Sequence, residues 1–371
     1  MPQKPRIALN GRFTGARQPT GTQTVAYYLF DQIIRRNRDF EIVVFADSRF
    51  TGVPAWRDVP GTTVVETPVQ DWARSRAQAW EQFVFPLLCG RHRCAVAHHP
   101  ITTSPAWHNG CKTVVTLHDL NFYLHPEWVK PAFRAVYQLC AVPGFRRADR
   151  LVTISHYIRE QAERVLRIPP ERMGMIYNGA KPMVLDGAPI ERGAPYLLCV
   201  GALAPHKNLI RTIEAYLKVR AEVPDLELRV VGRAQVNHAA DANLQRLLAS
   251  PGVRMTGYLS EADLARAYAG AEVYCYPSLE EGFGLPLLEA MSVGTPVLTS
   301  NLSCLPEIAG PNAFLVDPYA VDSIADGIRR ALRLAPEERA RIAAEGKAWA
   351  ARFTWEAAAD AYLRLYGEML R

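Results

Sequence analysis

Two spacings of hydrophobic positions alternate along this chain. Short runs in which nearly every residue is apolar give way to longer stretches whose apolar positions fall three and four residues apart. The first kind predicts strands buried on both faces of a sheet, the second amphipathic helices. Arg6–Asn10 predicts a strand ending at Gly11, and Thr24–Arg36 a helix with Val25, Tyr28, Leu29 and Ile33 on its inner face. Glu41–Phe45, Lys112–Leu117, Leu151–Ile154 and Met175–Tyr177 predict further strands, and Ser155 opens a helix running to Leu166. Residues 183–195 are rich in glycine and proline without periodicity, which predicts an interdomain linker. The alternation then restarts, with strands at Tyr196–Val200, Glu227–Val231, Val253–Thr256, Glu272–Tyr276 and Pro296–Thr299. Helices are expected at Ile210–Arg220, Glu261–Ala269 and Pro286–Val293, and in a tail from Pro336 that breaks near Phe353-Thr354.

Strands alternating with helices imply parallel sheets covered on both faces. The expected fold class is therefore α/β: two Rossmann-like, doubly wound domains in tandem, residues 1–187 and 188–371. Such sheets bind ligands beyond the carboxyl ends of their strands, near a topological switch, and two facing sheets would leave one cleft between them.

Composition narrows the class. Of 371 residues, 49% are hydrophobic and 22% charged, the balance of a soluble globular protein and not of a disordered or fibrous chain. The apolar runs Phe83–Cys89 and Tyr196–Ala204 are too short to cross a bilayer, and Met1–Arg6 lacks the apolar core of a signal peptide. A cytoplasmic location is the expectation. The seven cysteines are odd in number, scattered, and form no C-x-x-C pair, so they are read as reduced packing residues with no metal or redox role. The net charge of +6 is uneven: residues 1–185 hold 24 Lys+Arg against 14 Asp+Glu, and the remainder 19 against 23. A basic first half suits an anionic partner, such as a phospholipid surface or a phosphate-bearing acceptor. Nucleic acid is not expected, because the clusters Arg35, Arg36, Arg38 and Arg146, Arg147, Arg150 carry no recognition motif.

The richest chemistry lies in Ser278-Leu279-Glu280-Glu281-Gly282-Phe283-Gly284-Leu285-Pro286-Leu287-Leu288-Glu289-Ala290, between a strand and a helix. Pro286 suits the start of a helix, where a missing N–H costs nothing. Gly282 and Gly284 let backbone approach a ligand, and the free N–H groups of the helix start suit a phosphate or a hydroxyl-rich group. Glu281 in the loop and Glu289 one turn into the helix can each accept several hydrogen bonds from sugar hydroxyls. Lys207 also follows a strand, as does His118, and His98-His99-Pro100 is a strand-end pair read as lining the cleft. Adjacent histidines without further ligands do not make a metal site.

Glu281-x7-Glu289 with its EGFGLPLLEA core resembles the retaining GT-B glycosyltransferases of family 4. The resemblance runs through nearly the whole chain. It includes Val200-Gly201-Ala202-Leu203-Ala204-Pro205-His206-Lys207-Asn208, Val230-Val231-Gly232, Gly257-Tyr258, Leu305-Pro306-Glu307 and Phe353-Thr354-Trp355-Glu356. In the first domain it includes Thr116–Leu120, Thr153-Ile154-Ser155 and Ile176–Gly179. It implies a GT-B architecture in which the first domain faces the acceptor and the second binds the sugar nucleotide, with the tail helix (about 355–371) packing back on the first domain.

The resemblance also implies residue roles. Lys207 would neutralise the donor diphosphate, Glu289 hold the ribose, and Glu281 with the Gly282, Phe283, Gly284 and Leu285 backbone hold the sugar. His118 would line the reaction centre, with Asp119 orienting it or meeting the acceptor. Gly21, in Thr20-Gly21-Thr22-Gln23, stands in a loop that meets donor phosphates or acceptor, and Tyr258 stands on the donor side. This chain has Ala202 where relatives often have arginine and His206 where arginine is common before the lysine; His206 or Arg233 would then complete the diphosphate clamp. No covalent nucleophile stands out, so a front-face transfer is expected, without a metal. Thr116–Leu120 together with Ala204–Asn208 resembles mannosyl- or rhamnosyl-type enzymes of surface-polysaccharide assembly. GDP-mannose is the expected donor and a saccharide or lipid-diphosphate-linked sugar the expected acceptor, with peripheral contact to an anionic membrane. Two other functions remain open on the sequence: a sugar-nucleotide 2-epimerase-like isomerase, and a non-catalytic nucleotide-sugar binder.

Overall fold

The computed structural model describes residues 4–16, 20–48, 54–69, 74–107, 110–129, 131–186, 193–201, 204–232 and 241–371. The chain divides into two units: Met1–Gly179 with Thr354–Arg371, and Ala180–Phe353. The division thus falls at 179/180, ahead of the expected 187/188. Local bonds explain it. Ala180 N–H donates to Phe353 O at 2.9 Å and Met183 N–H to Ser292 Oγ at 3.0 Å, while Lys181 pairs with Glu261 and Arg266 with Asp186. Residues 187–192, the middle of the expected linker, lie outside the described residues.

The first unit holds a parallel seven-stranded sheet. Its strands are β1 (Arg6–Gly11), β2 (Glu41–Asp47), β3 (Thr62–Thr67), β4 (Val96–His99), β5 (Lys112–Leu117), β6 (Arg150–Thr153) and β7 (Met173–Met175). Their spatial order is β3-β2-β1-β4-β5-β6-β7, so the direction of winding reverses between β1 and β4. The second unit holds a parallel six-stranded sheet of β8 (Tyr196–Val200), β9 (Glu227–Val231), β10 (Val253–Gly257), β11 (Val273–Tyr276), β12 (Val297–Ser300) and β13 (Phe314–Val316). Their order is β10-β9-β8-β11-β12-β13, with the reversal between β8 and β11. Both sheets are buried where they reverse: Ile7, Ala8 and Leu9 of β1 and Val273 and Tyr274 of β11 are wholly inaccessible. Each such aliphatic side chain stabilises the fold by roughly 1.5–3 kcal/mol relative to exposure.

Thr354 caps the last helix, Trp355–Leu370, its hydroxyl accepting from Ala357 N at 3.1 Å. This helix lies in the first unit against the helix Gly21–Arg36, and Trp355 stacks on Tyr28 with ring centroids 6.0 Å apart. His98, expected to line a cleft, is instead a core residue. Its Nδ1 lies 2.6 Å from Tyr366 Oη and its Nε2 2.9 Å from Thr116 Oγ1, and Tyr362 stacks on its ring. His99 is equally sealed, at 1% exposure. The reason is packing: both faces of β4 are covered, His98 by Tyr362 and Tyr366 of the last helix and His99 by Phe85 and Glu81.

Candidate active site

The site is built at the reversal between β8 and β11. Gly201 follows β8 and Gly232 follows β9 at φ +146°, and a Cβ on Gly232 would sit 1.9 Å from Gly201 O, so no side chain fits. The floor beside them is a small pocket lined by Val200, Gly201, Lys207, Val230 and Tyr276. Past β8 the chain makes the 3₁₀ turn Pro205–Lys207 and reaches Asn208, in the left-handed conformation that asparagine tolerates. The Asn208 amide donates to Pro277 O at 3.0 Å and Pro318 O at 2.6 Å, and Leu279 N–H donates to His206 O at 2.7 Å. These bonds lace the lysine loop to the glutamate loop. Asn208 was not expected to hold these loops together; its place just before the helix Leu209–Arg220 is the sequence signal for it.

Gly284 adopts φ +97° as the cap of the helix Leu285–Ser292, a conformation costly for any side chain. Its Pro286 stands at the second helical position. The helix thus opens close after Glu281 without a side-chain cap from Gly284; Pro286 has no N–H, and Leu287 N–H donates to Gly284 O at 3.0 Å. Phe283 turns inward, 5% exposed and 5.9 Å from the Phe353 ring, so Gly282, Phe283, Gly284 and Leu285 offer backbone.

Lys207, Tyr276 and Glu281 form a triangle. Lys207 Nζ lies 2.7 Å from Glu281 Oε1 and 2.5 Å from Tyr276 Oη, and Tyr276 Oη lies 2.8 Å from the same carboxylate oxygen. Burial pushes the Glu281 carboxyl up, but the charge of Lys207, then of His206, and the hydrogen bonds of Lys207 and Tyr276 hold it below its ordinary value. Glu281 is therefore a carboxylate at neutral pH, aimed beside a cation. Glu289 is tuned the other way: burial raises it, although Tyr268 Oη donates to its Oε2 at 3.0 Å. Tyr258 projects from the end of β10 at 81% exposure and is not drawn into this group. Arg233 and Ala202 lie outside the described residues.

His118 and Gly21 belong to the first unit. His118 follows β5, buried at 5%, with Nε2 2.6 Å from Pro100 O. A carbonyl only accepts, so Nε2 carries the proton and Nδ1 is left as an acceptor. Burial lowers the ring to about 4, against a smaller upward effect of the Pro100 hydrogen bond, so the imidazole is neutral at pH 7. Asp119 Oδ1 accepts from Asn121 N at 3.0 Å. Gly21 opens the helix Gly21–Arg36 behind Thr20, whose backbone N–H donates to Gln23 Oε1 at 2.8 Å in a capping box. A Cβ on Gly21 would meet nothing within 4 Å, so packing does not demand glycine there.

A cluster at the reversal of the first sheet was missed by sequence reasoning. Arg12 Nη1 lies 3.1 Å from Glu81 Oε2, with side chains 8% and 0% exposed. Asn10 Nδ2 donates to Glu81 Oε1 at 2.8 Å and lies 3.1 Å from His99 Nδ1, and Arg12 Nη2 donates to Thr103 Oγ1 at 2.9 Å. Glu81 stands in a π-helical turn, Trp80–Val84, a local widening with no clear sequence mark. Among the described residues, no group of three or more His, Cys, Asp or Glu stands close enough to hold a metal ion.

Two family profiles tile the chain: Glycosyltransferase Family 4 matches residues 19–182, and Glycosyl transferases group 1 matches residues 186–349. The chain is 30% identical to O-antigen chain mannosyltransferase B of Escherichia coli over 261 residues, 66% of this chain and 67% of that protein. It is 28% identical to MMP alpha-(1->4)-mannosyltransferase of Mycolicibacterium hassiacum over 288 residues, 76% of this chain and 65% of that protein. The chain thus spans about two thirds of the length of these curated relatives. Anabaena Alr3699/HepE, solved in complex with UDP and glucose, shares the fold at TM-score 0.71 and 18% identity, covering 98% of this chain and 99% of that one. The chain belongs to the family 4, group 1 glycosyltransferases. It is a sugar-transferring enzyme of GT-B fold.

Proposed function

We propose that this enzyme transfers mannose from GDP-mannose to a saccharide or lipid-linked acceptor of cell-surface polysaccharide, retaining the anomeric configuration and requiring no metal. The observation that carries the reading is the Lys207–Tyr276–Glu281 triangle beside the open start of the helix Leu285–Ser292. Lys207 and the positive end of the helix Leu285–Ser292 supply charge where a departing diphosphate needs it, which is work a bound cation does elsewhere. Glu281, ionised, accepts from sugar hydroxyls, and Glu289 takes the ribose. The bond between the anomeric carbon and the phosphate oxygen breaks, the acceptor oxygen attacks from the same face, and its proton passes to the leaving phosphate. His118 Nδ1 offers an acceptor for a sugar hydroxyl. Catalysis then comes mainly from orientation and preorganised charge. The mannosyltransferase names of the relatives and the UDP and glucose of the structural neighbour support a sugar-nucleotide donor.

The acceptor reading places the first unit near a membrane face. Of the aromatics near the Arg146, Arg147, Arg150 cluster, Phe145 is fully buried and the half-buried Tyr137 stacks on Phe122 at 4.5 Å, so neither offers a free ring to a lipid surface; the Phe133 side chain lies outside the described residues. Arg35 and Arg36 are bonded to Asp31 and Asp360. Among the described residues, the most exposed large apolar side chains of this unit are Phe83, Leu87 and Leu139, at 62%, 59% and 74%. Among the described residues, no helix is long and apolar enough to cross a membrane.

The test is product analysis with GDP-mannose and with the UDP, dTDP and ADP sugars, in buffer and in EDTA. A mannosylated product with retained configuration, formed equally with chelator, supports the reading. A sugar isomerised but still on its nucleotide assigns an epimerase, and binding without turnover a non-catalytic binder.

A further inference from the structure

We propose that Tyr276 is a positioning residue for sugar transfer: its hydroxyl holds the Glu281 carboxylate while Lys207 leaves it for the donor diphosphate. The inference rests on the donor chemistry just proposed and adds a residue to it.

Tyr276 cannot move easily. It ends β11 at the reversal of the sheet, is 4% exposed, and stacks on Tyr274 with centroids 5.7 Å apart. Thr299 Oγ1 donates to its carbonyl at 2.8 Å. Only its hydroxyl faces working groups. An ammonium only donates and a carboxylate only accepts, so the phenol accepts from Lys207 and gives its single hydrogen to Glu281. Burial, then the charge of Glu281, raises the phenol far above its ordinary value, so it keeps that hydrogen throughout the working pH range.

The triangle contains a conflict that Tyr276 resolves. Two of the three Lys207 N–H groups go to Glu281 and Tyr276, so a diphosphate competes with Glu281 for the ammonium, and a half-buried carboxylate whose cation turns away loses much of what keeps it ionised and oriented. Lysine is a flexible stem bearing a point charge, whereas the tyrosine is fixed on a strand. When the ammonium turns to phosphate, the Tyr276 bond remains. The ring also lies under the ammonium, 4.7 Å from Nζ to centroid, an apolar seat from which a cation can swing without full rehydration.

The substitution Tyr276→Phe removes one oxygen and keeps the ring. Without any nucleotide, carboxyl ¹³C NMR of glutamate-labelled protein, with the Glu281 signal assigned by Glu281→Gln, reads the first effect: the titration of Glu281 moves up in Tyr276→Phe. With GDP-mannose, kcat falls about tenfold to a hundredfold, the scale of one hydrogen bond to a charged group. KM changes little, and the acid limb of the kcat profile moves up with the carboxyl. Tyr216→Phe is the control, because that buried hydroxyl serves Leu226 O at 2.9 Å in the core of the same unit. It lowers Tm and leaves the Glu281 titration and the acid limb where they were. An unchanged Glu281 titration in folded Tyr276→Phe overturns the proposal, as does a kcat loss with no shift of the acid limb. If the wild-type enzyme ignores GDP-mannose, the donor reading fails alone, and the titration, which needs no donor, still decides the role of Tyr276.

Discussion

The two sheets reverse in the same way, and each places a cation–carboxylate pair at its reversal, yet the pairs differ in kind. In the first unit Arg12 and Glu81 are walled in, at 8% and 0% exposure, and Asn10, His99 and Thr103 surround them. In the second, Lys207 and Glu281 keep 22% and 13% of their side-chain surface, and a helix start and two glycines stand beside them. A sealed guanidinium makes a fixed fork, which suits a staple between loops. A half-open ammonium can change partner, which suits a group that must meet a substrate. Topology therefore locates a polar pair at the switch point, and access decides whether it holds the fold together or works on a ligand.

The largest expected effect breaks the second pair. Glu281→Ala should abolish transfer while circular dichroism and Tm stay close to wild type, because a carboxylate that grips the sugar acts mainly in the transition state. Lys207→Ala should cost ~3 kcal/mol of transition-state stabilisation and weaken donor binding. A change confined to the acceptor KM would place Lys207 on the wrong substrate.

Breaking the first pair should strike stability instead. Arg12→Met leaves Glu81 buried and without its cation, held by Asn10 and the His99 ring, a loss of about 3–5 kcal/mol measured by denaturant unfolding. Replacing both partners, Arg12→Met with Glu81→Leu, should recover most of it. Lost activity without lost stability in Arg12→Met would move this pair from the fold to the chemistry.

Acid should separate the units more gently. Burial lowers His118 to about 4 from an ordinary value of 6.5, and it lowers His98 well below 6.5 too. Between those values the unfolded chain takes up protons that the folded chain refuses, so stability is full above about pH 6.5 and falls as pH drops toward 4. Both histidines belong to the first unit, so hydrogen exchange between pH 7 and 4.5 should quicken in β4 and β5 before β8 and β11. Equal acceleration in both sheets would show that these rings do not set the acid limit.

The smallest effect concerns the surface. The enzyme should sediment weakly with anionic liposomes, less so at high salt, and not with neutral ones, since each surface charge adds at most ~1 kcal/mol. Leu139→Ser with Phe83→Ser should weaken it. Equal sedimentation with both liposome types would remove membrane contact from the reading.

The same contrast explains what the sequence made legible. The second site could be read because its parts are contiguous: Ser278–Ala290 is one loop and helix, and Ala204–Asn208 is one turn. The first pair joins residues 12 and 81 through a π-helical turn, and no local spacing marks it. Among the strands, β4 was obscured because two of its four residues are histidines, polar letters in a fully buried strand. β3 was missed because it forms the sheet edge and leaves three of its six residues half-buried and two exposed... a polar, mixed pattern. β13 spans three residues, too few to show any period.

The return of the chain at Thr354 sets an order of birth. The second unit is one uninterrupted stretch, Ala180–Phe353, whereas the first is written in two instalments with that stretch between them. On the ribosome, domains ordinarily finish in chain order. Here Tyr362 and Tyr366, which cover His98 and Thr116, are made only after the whole of the second unit. The second unit thus has all its residues in hand before the first, which must wait with one flank of its sheet bare until the helix Trp355–Leu370 emerges.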